Sequence, residues 1–212
     1  MGKRNNGLVA LTGAAFVVLV IVAFVVGGEP PTASEDSAQE VVDFYVDNET
    51  EQMVGAVLAG LAGTLFVFFG AYLRRLLRAA EGERGMLSAA TFAGAIIFAT
   101  GLAVDGTITF ALTDTAGDID PAATQALSAL WNNDFLPLAM GLQIFLLGLG
   151  LSVLSSAALP KWVGWIAIVL GVLTVTPVGF FALLAAGLLV LVLSVMLSMR
   201  ARAGGVGGAE AL

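Results

Sequence analysis

Two residue types that carry much of enzyme chemistry are missing from this chain: its 212 residues include no cysteine and no histidine. Without cysteine there is no disulfide, thiol nucleophile or thiolate metal site, and the redox compartment leaves no trace. Without histidine the commonest general base, the usual catalytic-zinc ligand and the usual haem ligand are gone. Charge is scarce as well. Asp, Glu, Lys and Arg make up 12% of the chain, against about 25% in a soluble domain. No His-Glu-x-x-His, Ser/His or Cys/His pairing, glycine-rich phosphate loop or Gly-x-Gly-Asp motif is present. Neither Lys3 nor Lys161 falls mid-span, where a retinal Schiff base would need it, and no span carries the regular arginines of a voltage sensor. The sequence predicts no enzyme, no cofactor and no bound metal.

What the chain has in abundance is apolar sequence, 58% of it. Six runs, at about 7–26, 53–73, 87–112, 135–159, 162–176 and 180–199, approach the ~20 residues that an α-helix needs to cross a bilayer. The expected fold is all-α, a polytopic bundle of six transmembrane helices forming one membrane domain over 1–203. A glycine-rich flexible cytoplasmic tail is expected over 204–212. The first run is too long for the ~7–15-residue core of a cleavable leader and reads as an uncleaved signal anchor. The fifth is short enough to sit shallow in the membrane or to include the turn that follows it.

Two polar loops stand out. The first, 27–52, holds eight acids and no base. Within it Ser37 and Glu40 have the spacing of a capping box, and Val41, Phe44 and Tyr45 share one helical face, which predicts a short amphipathic helix. The second, 114–134, repeats the plan: Asp120 before Pro121 reads as an N-cap with proline at the first helical position. Leu127, Leu130 and Trp131 are expected on one face of the resulting helix, Asn132 and Asn133 end it, and Asp134 is placed to cap the next.

The charges sort by side. An arginine costs about 2.5–3.5 kcal/mol at the centre of an inserted helix, so the cluster Arg74, Arg75 and Arg78 must lie outside the hydrocarbon. With six spans and a basic head, all nine basic residues fall on one side, together with Glu81, Glu83 and Glu210, and the other thirteen acids fall opposite. The positive-inside rule then puts both termini in the cytoplasm and both acidic loops outside. The arginine cluster reads as a topology signal with affinity for anionic lipid headgroups, not as a nucleic-acid patch.

Small residues mark packing faces. Ala56, Gly60, Gly63 and Gly70 line one side of the second span, the spacing that lets helix backbones approach closely in lipid. The fourth span has two such stripes, Gly141-Gly148-Ser152-Ser155 and Ala139-Gln143-Gly150, which suggests a central helix or one that also meets a second protomer. Polar candidates within the spans are few. Asp105 is the sharpest, because an ionisable residue in a span is a functional hypothesis by default. Its position roughly 27 Å along a helix from Leu87, near the far edge of a ~30 Å core, favours an interfacial carboxylate over a proton or cation site. Gln143, roughly 12 Å into its span, reads as interhelical glue before it reads as a ligand contact. The corner Asn132, Asn133 and Asp134 could offer oxygens to a cation, but three adjacent residues do not make the cage of six to eight oxygens that calcium takes.

The segments 127–137, 158–165 and 176–180, with 42–48 and the arginines after the second span, resemble a group of bacterial multi-pass membrane proteins, and more loosely the six-helix bacterial family designated a domain of unknown function. The resemblance implies a six-helix bundle in a bacterial plasma (cytoplasmic) membrane and brings no activity or site residue with it. The expected role is a non-enzymatic structural or regulatory component, partnered by the lipid bilayer and by another membrane protein or a homo-oligomer. The alternative is a small transporter or binder of lipid or hydrophobic molecules, which would need a cavity at membrane depth beside Gln143 and Asp105.

Overall fold

The computed structural model describes residues 3–82, 85–156 and 158–206. Glu83, Arg84 and 207–212, the last six residues of the expected tail, lie outside them. The described chain is all-α, without a strand, and runs as α1 (Lys3–Ala10), α2 (Thr12–Gly27), α3 (Ala38–Asp47), α4 (Glu49–Glu81), α5 (Met86–Thr115), α6 (Pro121–Asn132), α7 (Phe135–Ser156), α8 (Lys161–Leu173) and α9 (Gly179–Val206).

Five stretches are long and apolar enough to cross a membrane: 7–27 through α1 and α2, α4, α5, the α6–α7 stretch and α9. Their apolar side chains do not all turn inward. Phe24, Phe68, Phe180 and Phe181 are more than half exposed, which water would penalise and lipid accepts. The threonines inside the spans return their hydroxyls to the preceding turn, as Thr91 does to Leu87 O at 2.9 Å and Thr100 to Ile96 O at 3.0 Å. That satisfies a hydroxyl where no water is at hand. The chain has the build of a multi-pass membrane protein.

Three boundaries depart from the sequence expectation. The second run was expected to end at residue 73, yet α4 continues unbroken through the Arg74–Arg78 cluster to Glu81. Arginine, leucine and alanine are all good helix formers, and Arg78 in the last turn faces the negative end of the helix dipole. At 1.5 Å per residue, the 33 residues of α4 rise roughly 50 Å and overrun the hydrocarbon at one or both ends. Conversely, α8 has only 13 residues, a rise of roughly 20 Å, and is shorter than a bilayer core. At the other terminus α9 holds its helix through Val206, past the expected end of the sixth span.

In lipid, helices associate by close packing and not by the hydrophobic effect, and glycine makes the closest contacts. A Cβ on Gly94 of α5 would collide with the backbone of Phe145, and one on Gly141 of α7 with that of Phe98. A Cβ on Gly148 would lie 2.7 Å from Thr91 N, so α5 and α7 touch backbone to backbone over two turns. On its other side α7 meets α8 through Gly150 and Gly164, where a Cβ on Gly150 would lie 2.7 Å from Gly164 O. The two small-residue stripes of α7 therefore serve two neighbours within the chain, and α7 is central. The stripe on α4 is used only in part: Gly63 and Gly70 press on Ala99 and Ala95 of α5, whereas nothing lies within 4 Å of a Cβ on Gly60. Gly60 is exposed, because its segment faces away from the crossing.

Four phenylalanines meet near the centre. Phe66 of α4 stacks on Phe16 of α2 at 4.5 Å between ring centroids, on Phe145 of α7 at 4.9 Å and against Phe98 of α5 at 5.2 Å. All four are buried, Phe66 and Phe145 completely.

The helix ends fall into two groups. Gly7 lies against Ser198 and Arg202, Gly13 against Phe69, and Ser152 of α7 donates to Glu81 Oε1, so both described chain ends share an end of the bundle with the arginine cluster. At the opposite end Gln52 donates to Gly27 O, and α3 and α6 pack on each other.

Candidate functional site

The end formed by α3, α6 and the tips of α2, α4 and α5 gathers several of the polar groups that the fold buries, among them Gln52, Thr109, Thr113, Thr124 and Ser128. Local sequence sets each wall. Ser37 and Glu40 form the capping box that starts α3, Ser37 Oγ accepting from Glu40 N and Glu40 Oε2 accepting from Ser37 N at 2.8 Å. Asp120 Oδ1 accepts from Ala122 N at 2.8 Å and Pro121 opens α6. Val41 and Tyr45 then pack with Leu112 and Ala116 of α5, with Phe44, Ile108, Leu127 and Trp131 around them. Gln125 of α6 donates to Ala33 O and Asp36 O, both at 3.0 Å, and fastens α6 to the loop before α3.

The inner face of α6 differs from the expected one. Leu130 is 54% exposed, while Thr124 and Ser128 are completely buried. Positions 124, 128 and 131 recur at four and three residues and share a face; Leu130 lies around the helix from them. A polar line of Thr124, Ser128 and Trp131 therefore points inward, toward Tyr45 and Asp105.

Asp105 is half-buried on α5 and is faced by Asp134 from the start of α7 and by the indole N–H of Trp131. Tyr45 faces Ser128 and Asp105, and burial pushes its phenol up to about 12, the Ser128 hydroxyl opposing that shift and Asp105 adding to it. Yet Tyr45 Oη, Thr124 Oγ1, Ser128 Oγ, Trp131 Nε1, Asn132 Nδ2 and Asp134 Oδ2 are all buried without a hydrogen-bond partner at bonding distance. Six such atoms in one corner are unusual, since an unmet buried polar group costs about 1–3 kcal/mol. Beside them lies a cleft of about 240 Å³, lined at its polar end by Asp105, Gln52, Thr109 and Trp131 and elsewhere by apolar residues of α2, α4 and α5 such as Phe24 and Leu102.

The candidates from sequence are only partly brought together. Asp134 faces Asp105, and the Asn132 amide nitrogen is buried without a partner among the described residues. Asn133 is exposed and spends its side chain on Ala129 O at 2.7 Å, so the Asn-Asn-Asp corner does not act as a unit. Among the described residues no group of three or more carboxylates could hold a metal ion. Gln143 is half-buried on α7 and does not line this cleft. Arg74, over the Phe92 ring at 5.5 Å, Arg75, over the Tyr72 ring at 5.7 Å, and the exposed Arg78 lie at the other end of the bundle. Sequence reading missed Gln52, Thr124 and Ser128, and took Tyr45 and Trp131 for members of apolar helix faces. The available signal was the four-then-three spacing of Thr124, Ser128 and Trp131, which a search for apolar faces passes over.

No protein-family model, curated protein or solved structure matches the chain.

Proposed function

We propose that this is a non-enzymatic component of a bacterial cytoplasmic membrane, of the six-helix kind it resembles, acting through lateral contact with another membrane protein or a second copy. The observation that carries this reading is an unused small-residue face. Gly60 and Thr64 of α4 and Ala99, Thr100 and Ala103 of α5 line an open groove on the flank of the bundle. Small residues with room above them admit a helix from outside. In this reading the chain passes six times, α8 completing the fifth passage with the turn before α9. Both termini and the Arg74, Arg75 and Arg78 cluster lie in the cytoplasm, where the arginines meet anionic headgroups, and nucleic acid has no part.

Gly60→Leu tests it, because the fold leaves space for the new side chain. We expect the variant to fold and to lose the assembly that native mass spectrometry detects for the wild type in lipid. A wild-type protein that is monomeric and free of partners, or a variant that assembles unchanged, would sink the reading. Gly148→Leu is no test of a partner, since Gly148 already touches Thr91 of its own chain.

A second reading, a binder of hydrophobic small molecules, is favoured by the cleft beside Asp105. Gln143 has no part in it, and a second, apolar cleft of about 290 Å³ opens between α2 and α9 onto Phe16, Phe66 and Phe98.

A further inference from the structure

We propose that the corner around Asp105 is a binding site for a small lipophilic ammonium ion, its cationic head held by Asp105 and Asp134 and its apolar body in the adjoining cleft. The proposal rests on the second reading above and names the ligand class for that site.

Charge leads to the cation. A carboxyl withdrawn from water stays neutral by keeping its proton unless an opposite charge or a set of donors favours the carboxylate, so a cation that enters is the partner that ionises it. Asp105 is faced by another carboxylate, a phenol and an indole N–H, not by a lysine or arginine. The described basic groups that are placed, Arg74, Arg75, Arg78, Lys161, Arg200 and Arg202, belong to the far end. The loops around the site add only negative charge, which raises the local concentration of cations.

The shape of the corner leads to an organic ion. Two carboxylates with hydroxyls behind them fall short of the six to eight oxygens that calcium takes, and no metal-holding cluster occurs among the described residues. The cleft is apolar over most of its wall and, at about 240 Å³, is smaller than the ~300–1,000 Å³ of drug-sized sites. An alkyl chain of a few carbons is the body it suits. Trp131 lines the cleft beside Asp105 and offers an aromatic face, the surface that attracts ammonium groups. The second, independent sign is the set of orphaned groups behind the carboxylates. The Tyr45, Thr124 and Ser128 hydroxyls, on residues at most 1% exposed, have no partner at bonding distance among the described residues, although Tyr45 and Ser128 face each other. They can accept hydrogen bonds from a primary ammonium, or orient toward the carboxylates once a cation is in place.

The chain has three tryptophans, so a Trp162→Phe/Trp165→Phe protein in lipid nanodiscs reports Trp131 fluorescence alone. It is titrated with hexylamine, hexyltrimethylammonium and hexanol. We expect a saturable change with one or both ammonium probes, hexanol at least roughly tenfold weaker, and a loss of roughly tenfold or more, about 1.4 kcal/mol, in Asp105→Asn. The melting temperature of Asp105→Asn is measured alongside; if that variant is unfolded, Asp134→Asn and the hexanol comparison decide. Equal saturable binding of hexanol, or binding unchanged in Asp105→Asn, overturns the ammonium assignment and leaves the hydrophobic-binder reading standing. No saturable response to any probe overturns both.

Discussion

At the start of α3, Glu40 does two jobs with one carboxylate: it accepts the Ser37 backbone N–H and the Ser37 hydroxyl, both at 2.8 Å. These bonds favour the charged form and hold its pKa below the usual 4.5. The linkage has one sign. The folded value is the lower one, so the contribution to α3 is complete above pH 4.5 and is lost as pH falls through the folded value. An NMR titration of the Glu40 carboxyl should give a midpoint below 4.5 that climbs back toward it in Ser37→Ala, with the cap loss costing α3 about 1 kcal/mol. A midpoint unmoved by Ser37→Ala would contradict the capping box. This pair was legible in the sequence because both partners lie within one turn. Tyr45 was not. Its hydroxyl faces Ser128 and Asp105 across sixty or more residues of chain, and no local spacing encodes that meeting.

Helices here are shaped by one another as much as by their own sequence. Between α1 and α2 the backbone breaks at Leu11, although neither glycine nor proline stands there. The cause sits on α9. Ser194 Oγ accepts from Ala14 N at 2.8 Å and donates to Ala10 O at 2.5 Å, inserting itself into an i, i+4 pair of the helix ladder. Side-chain insertion is a recognised source of kinks. Ser194→Ala should let Ala14 bond Ala10 directly, straighten residues 7–27 and cost about 0.6–2 kcal/mol of contact with α9. Hydrogen exchange at Ala14 that does not change in the variant would argue against the insertion. The two glycines compared earlier make the same point about neighbours. Gly60 and Gly148 look alike in sequence, each in a small-residue stripe on a span, yet one faces open space and the other a backbone. Which stripe an intrachain helix fills depends on helix order in space, and the sequence pattern is silent on that.

For the whole molecule, the orientation is the most direct thing to test, and a chain without native cysteine is well suited to it. In intact cells Asp118→Cys should react with a membrane-impermeant maleimide and Ala79→Cys should not; the reverse pattern would invert the proposed topology. By itself the sequence determined the helical class, the separation of acidic from basic ends, the long apolar helices and the caps of α3 and α6. Each of these is written in composition or within a turn or two of chain, where periodicity and charge are sufficient. Only the tertiary structure decided that four phenylalanines from four helices meet at the centre. It also gathered Asp105, Asp134, Tyr45 and Ser128 into one corner with their hydrogen-bonding groups unmet. The physical reason is range: helix propensity, capping and hydrophobicity act locally, whereas side chains far apart in sequence meet only once the helices have chosen their neighbours.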